Sequence, residues 1–176
     1  MMPHKTILHI FILFAGVNAT FLWVATPLLS KYSLQLTAVL IVFMVLGKKT
    51  VNEETFKIIE GLAIVVVTLL LVSETDGISS PLFFLNYFLL FALSLLLEPA
   101  IPVALSFMFI VFYLLTNETN TSVFQLLELL AFPFMTPLAY FVGKIYRKEE
   151  NQKKEIANLR RKVETLEEEL VEEELR

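Results

Sequence analysis

Residues 81–115 read PLFFLNYFLL FALSLLLEPA IPVALSFMFI VFYLL, and Glu98 is the one charged side chain among these 35 positions. A straight α-helix of that length would measure about 52 Å, against a bilayer hydrocarbon core of about 30 Å. Pro99 and Pro102 follow the charge at once. Each lacks a backbone donor and disfavours helix in the residue before it. The stretch therefore reads as two crossing helices, 81–97 and 99–115, joined by a tight hairpin at Glu98–Pro99. The competing reading, one tilted or re-entrant helix, leaves the prolines unexplained.

A bilayer span needs about 20 mostly apolar residues. Working outward on that rule, spans are expected at 7–25, 32–47 (short) and 56–73 before the hairpin, and at 123–146 after it. Backbone polar groups in lipid must be satisfied within the segment, so each span is read as a helix. Composition agrees. The chain has 176 residues, is 56% apolar and 18% charged, and has a mean hydropathy of +0.70. Residues 147–176 hold 18 of the 32 charged side chains, leaving 14 for residues 1–146. That is under half the ~25% charge of a soluble domain. Disorder requires low hydrophobicity and is excluded as well. With no cysteine, disulfides and thiolate metal sites are excluded. A net charge of −4 gives no reason to expect nucleic acid. The expected architecture is an all-α membrane protein: a polytopic domain of about six transmembrane helices over 1–146, then a cytoplasmic coiled coil over 147–176.

Basic residues stay on the cytoplasmic side of a membrane protein. With the N-terminus inside, the inner segments carry Lys5, Lys48, Lys49, Lys144, Arg147 and Lys148, and the outer loops carry Lys31 alone. Six spans with both termini cytoplasmic fit this asymmetry, in a plasma (inner) membrane. Five would strand a basic cluster outside. The apolar run from Ile7 is long and lacks a small-x-small cleavage site, so it is read as a retained span rather than a signal peptide.

After Tyr146 there is no Pro, Gly or aromatic residue, and apolar residues recur at alternating spacings of three and four: Ile156, Leu159, Val163, Leu166 and Leu170. This is a coiled-coil seam. Ile156, Val163 and Leu170 take the a positions, Leu159 and Leu166 the d positions. β-Branched a residues with Leu at d favour a parallel two-stranded coil. Glu155 would then face Arg160 of a second copy, and Lys162 would face Glu167. A homodimer through 156–170 is expected over a solitary helix held by local charge pairs. Tethering in one membrane raises the effective concentration of the tails. The helix of the last span is expected to continue into this tail.

Ionisable residues within spans are functional suspects. Glu60 lies one turn into the third span and is read as reaching the inner surface beside Lys57. Glu128 lies about five residues into the sixth span with no charged neighbour in sequence, and is expected to be protonated or to face a polar cavity between helices. Asn86 and Asn18 are expected to hydrogen-bond between helices. Pro133 and Pro137, four apart on one helix face, each remove a ladder donor and mark a candidate hinge. Catalysis finds no support: His4 and His9 have no partners at metal or catalytic spacing, and no phosphate-binding glycine loop or nucleophile motif occurs. No enzyme activity, cofactor or metal is expected.

The segment Ser80-Pro81-Leu82-Phe83-Phe84-Leu85-Asn86-Tyr87 follows a short loop, Asp76-Gly77-Ile78-Ser79, and opens a span. It resembles the membrane-embedded N-terminal module of bacterial sensor histidine kinases, whose last span also runs into a cytoplasmic coiled coil. The resemblance covers roughly residues 55–170. It implies a signalling or scaffold module that recruits a cytoplasmic protein partner. No phosphoacceptor histidine or kinase core occurs through Arg176, so the chain is expected to be a detached module or a piece of a longer receptor. The alternative is a small transport component, of the substrate-binding subunit type, or a cell-shape membrane protein. Polar residues are sparse at the midplane, which counts against transport.

Overall fold

A computed structural model describes residues 4–47, 52–116 and 123–174. The inner basic pair Lys48–Lys49 and the outer loop 117–122 lie outside the described residues. Helices account for nearly all of what is described: α1 (His4–Ala25), α2 (Pro27–Ser30), α3 (Ser33–Gly47), α4 (Glu53–Glu74), α5 (Leu85–Leu96), α6 (Ile101–Thr116) and α7 (Val123–Glu174). A single 3-10 turn, Gly77–Ser79, separates α4 from α5. The chain divides into two compact units, Met1–Gly143 and Lys144–Arg176.

Three helical stretches are long and apolar enough to cross a membrane: Thr6–Ala25, Thr55–Glu74 and Val123–Glu167. The other three apolar helices are shorter. At a rise of 1.5 Å per residue, α3, α5 and α6 measure about 22, 18 and 24 Å, below the ~30 Å core. The segment expected as the fourth span enters through successive turns over residues 81–84, and α5 proper runs from Leu85 to Leu96. Bonds from Leu85, Asn86 and Tyr87 N–H to the carbonyls three residues earlier tighten this entry. The Ser80 hydroxyl accepts from Leu82 N–H at 3.0 Å and caps this entry, with Pro81 in the first position where no ladder donor is needed. The second span also starts differently: α3 opens at Ser33, behind the short α2, whose first residue is Pro27.

Between α5 and α6 the backbone leaves helix at Leu97 (φ −105°, ψ −102°) and re-enters at Ile101, with Pro102 in the first turn, where no ladder donor is needed. The two helices pack on each other. The α4–α5 turn uses two successive left-handed residues, Asp76 (φ 78°) and Gly77 (φ 58°). That reversal drops the apolar side chain of Ile78 into the core.

Packing follows a ring. α4 touches α1, α3 and α5, and α6 touches α1 and α5. Four helices, α1, α4, α5 and α6, thus enclose a core that includes Leu13, Val65, Leu69, Leu93 and Phe109. α3 lies outside the ring against α4; its fully buried residues are polar, Ser33 and Thr37, Leu36, Leu40 and Met44 are half-buried, and Val39, Phe43 and Val45 are among its exposed apolar side chains. Such an arrangement suits lipid. With apolar surroundings, burial yields little hydrophobic gain, and close packing and interhelical hydrogen bonds select the contacts.

Candidate functional site

Of the functional suspects inside the first unit, Pro133, Pro137 and Glu128 lie on α7. Pro133 and Pro137 both lie within the helix. A proline has no N–H for the carbonyl four residues back, so the carbonyls of Leu129 and Pro133 lose their ladder donors. The Thr136 hydroxyl donates to Phe132 O at 2.7 Å within the same turns.

Two side chains of α5 bind α7 on either side of this weakened stretch. Tyr87 Oη donates to the backbone carbonyl of Glu128 at 2.7 Å, and Ser94 Oγ donates to that of Ala139 at 2.6 Å. A serine in a helix ordinarily bonds a carbonyl of its own preceding turn. Ser94, fully buried, bonds across to a neighbour instead. Gly143 makes the approach possible: a Cβ there would collide with the Ser94 side chain and stand 2.8 Å from its carbonyl oxygen. Between the clamps Phe132 is fully buried, with ring centroids 5.8 Å from Phe83, 5.1 Å from Tyr87 and 5.7 Å from Phe109.

On another side of the same turns, α6 and α7 border an open groove of about 620 Å³. Pro133, Pro137, Thr136 and Phe141 line it from α7, and Ser106 and Phe107 from α6. Its lining is overwhelmingly apolar.

Asn86 is fully buried one residue before Tyr87. Its Nδ2 donates to Phe83 O at 3.0 Å and to Tyr113 Oη on α6 at 2.9 Å, while its Oδ1 has no protein partner. Phe83 stacks edge-on against Tyr113 at 5.1 Å, so the segment Ser80–Tyr87 is built into the contact of α5 with α6 and α7. Glu128 is exposed on the surface of the unit, which leaves the protonated alternative of the two expected for it. One expectation is corrected here. Asn18 bonds its own helix, donating to Phe14 O at 2.8 Å. A short amide can reach its own preceding turn without needing a neighbour. Glu60 is half-buried on α4.

In the second unit Ile156, Leu159, Val163 and Leu166 are all exposed. Leu170 lies outside the described side chains. Local ion pairs run along the helix: Glu149–Lys153 and Glu150–Lys154 at 2.8 Å, and Arg160–Glu164 at 3.3 Å. The hydrogen bond from Lys153 holds the Glu149 carboxyl below its usual range, and the same bond raises the Lys153 ammonium.

Sequence reasoning names Tyr87 only as part of the Ser80–Tyr87 segment and does not single out Ser94, Tyr113 or Gly143. A signal was present for the first pair: seven residues apart, Tyr87 and Ser94 share one helix face. Among the described residues no group of three or more His, Cys, Asp or Glu side chains could hold a metal ion. Comparison of the chain with protein families, curated proteins and solved structures finds no match.

Proposed function

We propose that this chain is a membrane signalling or scaffold module. It crosses the bilayer six times with both termini cytoplasmic, self-associates through residues 156–170, and offers the paired tail to a cytoplasmic protein. The observation that carries the reading is the row of four exposed apolar side chains, Ile156, Leu159, Val163 and Leu166, on a helix otherwise covered in charge. In water such a row at heptad spacing is stabilised by a second copy. The pairs Glu149–Lys153 and Glu150–Lys154 lend the helix weak local support.

Contacts between helix ends support the span count. Thr6, near the start of α1, bonds Glu98, just after α5. Gln125, near the start of α7, donates to Ser79, just after α4, at 2.8 Å. If α1, α3, α4, α5, α6 and α7 alternate in direction, each of these pairs falls on one side of the bilayer. The same alternation makes α5 and α7 parallel, and their two clamps run in that order. The short helices need their flanking turns and local thinning of the bilayer to complete a crossing, at fractions of a kcal/mol per Å.

Cysteine crosslinking in native membranes tests the reading, because the chain has no cysteine of its own. Leu159→Cys and Val163→Cys are expected to form disulfide-linked dimers on mild oxidation. Absence of crosslinks at both positions would remove the basis for self-association. Co-purifying soluble proteins then identify the partner.

A further inference from the structure

We propose that α5 is a latch on α7: the hydroxyls of Tyr87 and Ser94 hold the Pro133–Pro137 segment straight, and their release lets it bend beside the α6 groove. Three independent features meet at these turns. The ladder lacks the donors of both prolines, which makes this the most easily bent part of the helix. The two interhelical hydroxyl bonds fall on Glu128 and Ala139, outside the prolines on each side, where they resist bending with the longest lever. The prolines themselves border about 620 Å³ of open, apolar groove, where only lipid tails have to yield.

Packing alone does not require this arrangement. Ser94 gives up its own turn to reach Ala139, and Gly143, a poor helix former, has no Cβ where one would keep the helices apart. Tyr87 holds its ring against Phe83 and Phe132 whether or not its hydroxyl bonds, so the hydroxyl is separable from the packing. The latch deepens the proposed function, since it rests on reading α7 as the helix that carries a signal. Its own evidence is conformational.

The test measures distances between spin labels at Leu95→Cys on α5 and Phe141→Cys on α7, both exposed, in the full chain in lipid nanodiscs. Tyr87→Phe removes one hydroxyl with the ring retained, and Ser94→Ala removes the other. An interhelical hydrogen bond in a membrane averages ~0.6 kcal/mol, so the ratio of bent to straight population is expected to rise about threefold for each hydroxyl removed. Adding Pro133→Ala and Pro137→Ala to the double variant restores the ladder and is expected to return the single narrow distribution. An unchanged distribution in the double variant overturns the latch. So does a broad distribution that persists after both prolines are replaced, because the loosening then has nothing to do with the hinge. Crosslinking through Leu159→Cys in the same preparations reads self-association separately. Dimers without broadening sink the latch alone, and broadening without dimers supports the latch while sinking the paired tail.

Discussion

Phe107 on α6 is 70% exposed and Ile156 in the tail is 65% exposed, yet the two numbers carry opposite meanings. In the first unit exposed apolar side chains are the rule, as at Phe43, Phe134 and Phe141, because lipid is the solvent they face. Exposure there says nothing about a partner. In the second unit Ile156 is exposed among charged side chains, and the apolar row is the surface that the proposed second copy would cover. Polar groups invert in the same way. Asn86, Ser94 and Thr6 are fully buried and bonded within the first unit, whereas Glu149 and Lys153 in the second lie open to solvent. The same side chain is therefore informative in one unit and ordinary in the other.

The sharpest way to break this comparison is a matched pair of phenylalanines. Phe132→Ala empties a fully buried site among three aromatic rings and is expected to cost about 2 kcal/mol of stability, the cavity part of such a truncation. Phe107→Ala removes the same side chain from the lipid face and is expected to stay within about 0.5 kcal/mol. Reversible unfolding in mixed detergent micelles measures both. Equal losses would mean that α6 is covered by protein at Phe107 and that exposure has been misread.

A smaller effect is expected from Ile156→Lys. It places a charge at an a position, so dimer crosslinking through Leu159→Cys should fall to background. Unfolding of the first unit should not change. A variant that crosslinks as before would show that the apolar row of the tail is not a seam.

The smallest effect concerns pH. Glu149 titrates below its usual range when paired, so its support of the tail is present at neutral pH and is lost as pH falls through and below the ordinary carboxylate range. Lys153 titrates above its usual range, so its part is lost only as pH rises past about 10.4. Amide exchange around Glu149–Lys153, corrected for the intrinsic pH dependence of exchange, should be slowest between these limits. Both groups are fully exposed, and a flat profile would show that the pair adds nothing to the helix.

Much of the fold was legible without coordinates, and the reasons are particular. Pro99 and Pro102 break the 81–115 stretch because proline cannot donate and restricts its predecessor, a local effect that needs no neighbours. The change of composition at Tyr146 and the three–four spacing of Ile156 to Leu166 are likewise properties of the chain itself. α5 proper starts at Leu85 because the entry from Ser80 is wound in three-residue turns, a geometry that apolarity does not register. Asn18 was assigned a partner it does not use because an amide in a helix can turn inward or back on its own turn with equal ease.

The sequence by itself determined which solvent each part of this protein meets and where its helices run, since transfer free energy and helix-breaking act residue by residue. Only the tertiary structure decided that Tyr87 and Ser94 reach across to α7, that Gly143 admits Ser94, and that Pro133 and Pro137 border a groove. In a region where nearly every residue is apolar, hydropathy no longer distinguishes one helix face from another. Shape and a few hydrogen bonds between residues 41 and 45 positions apart make that choice.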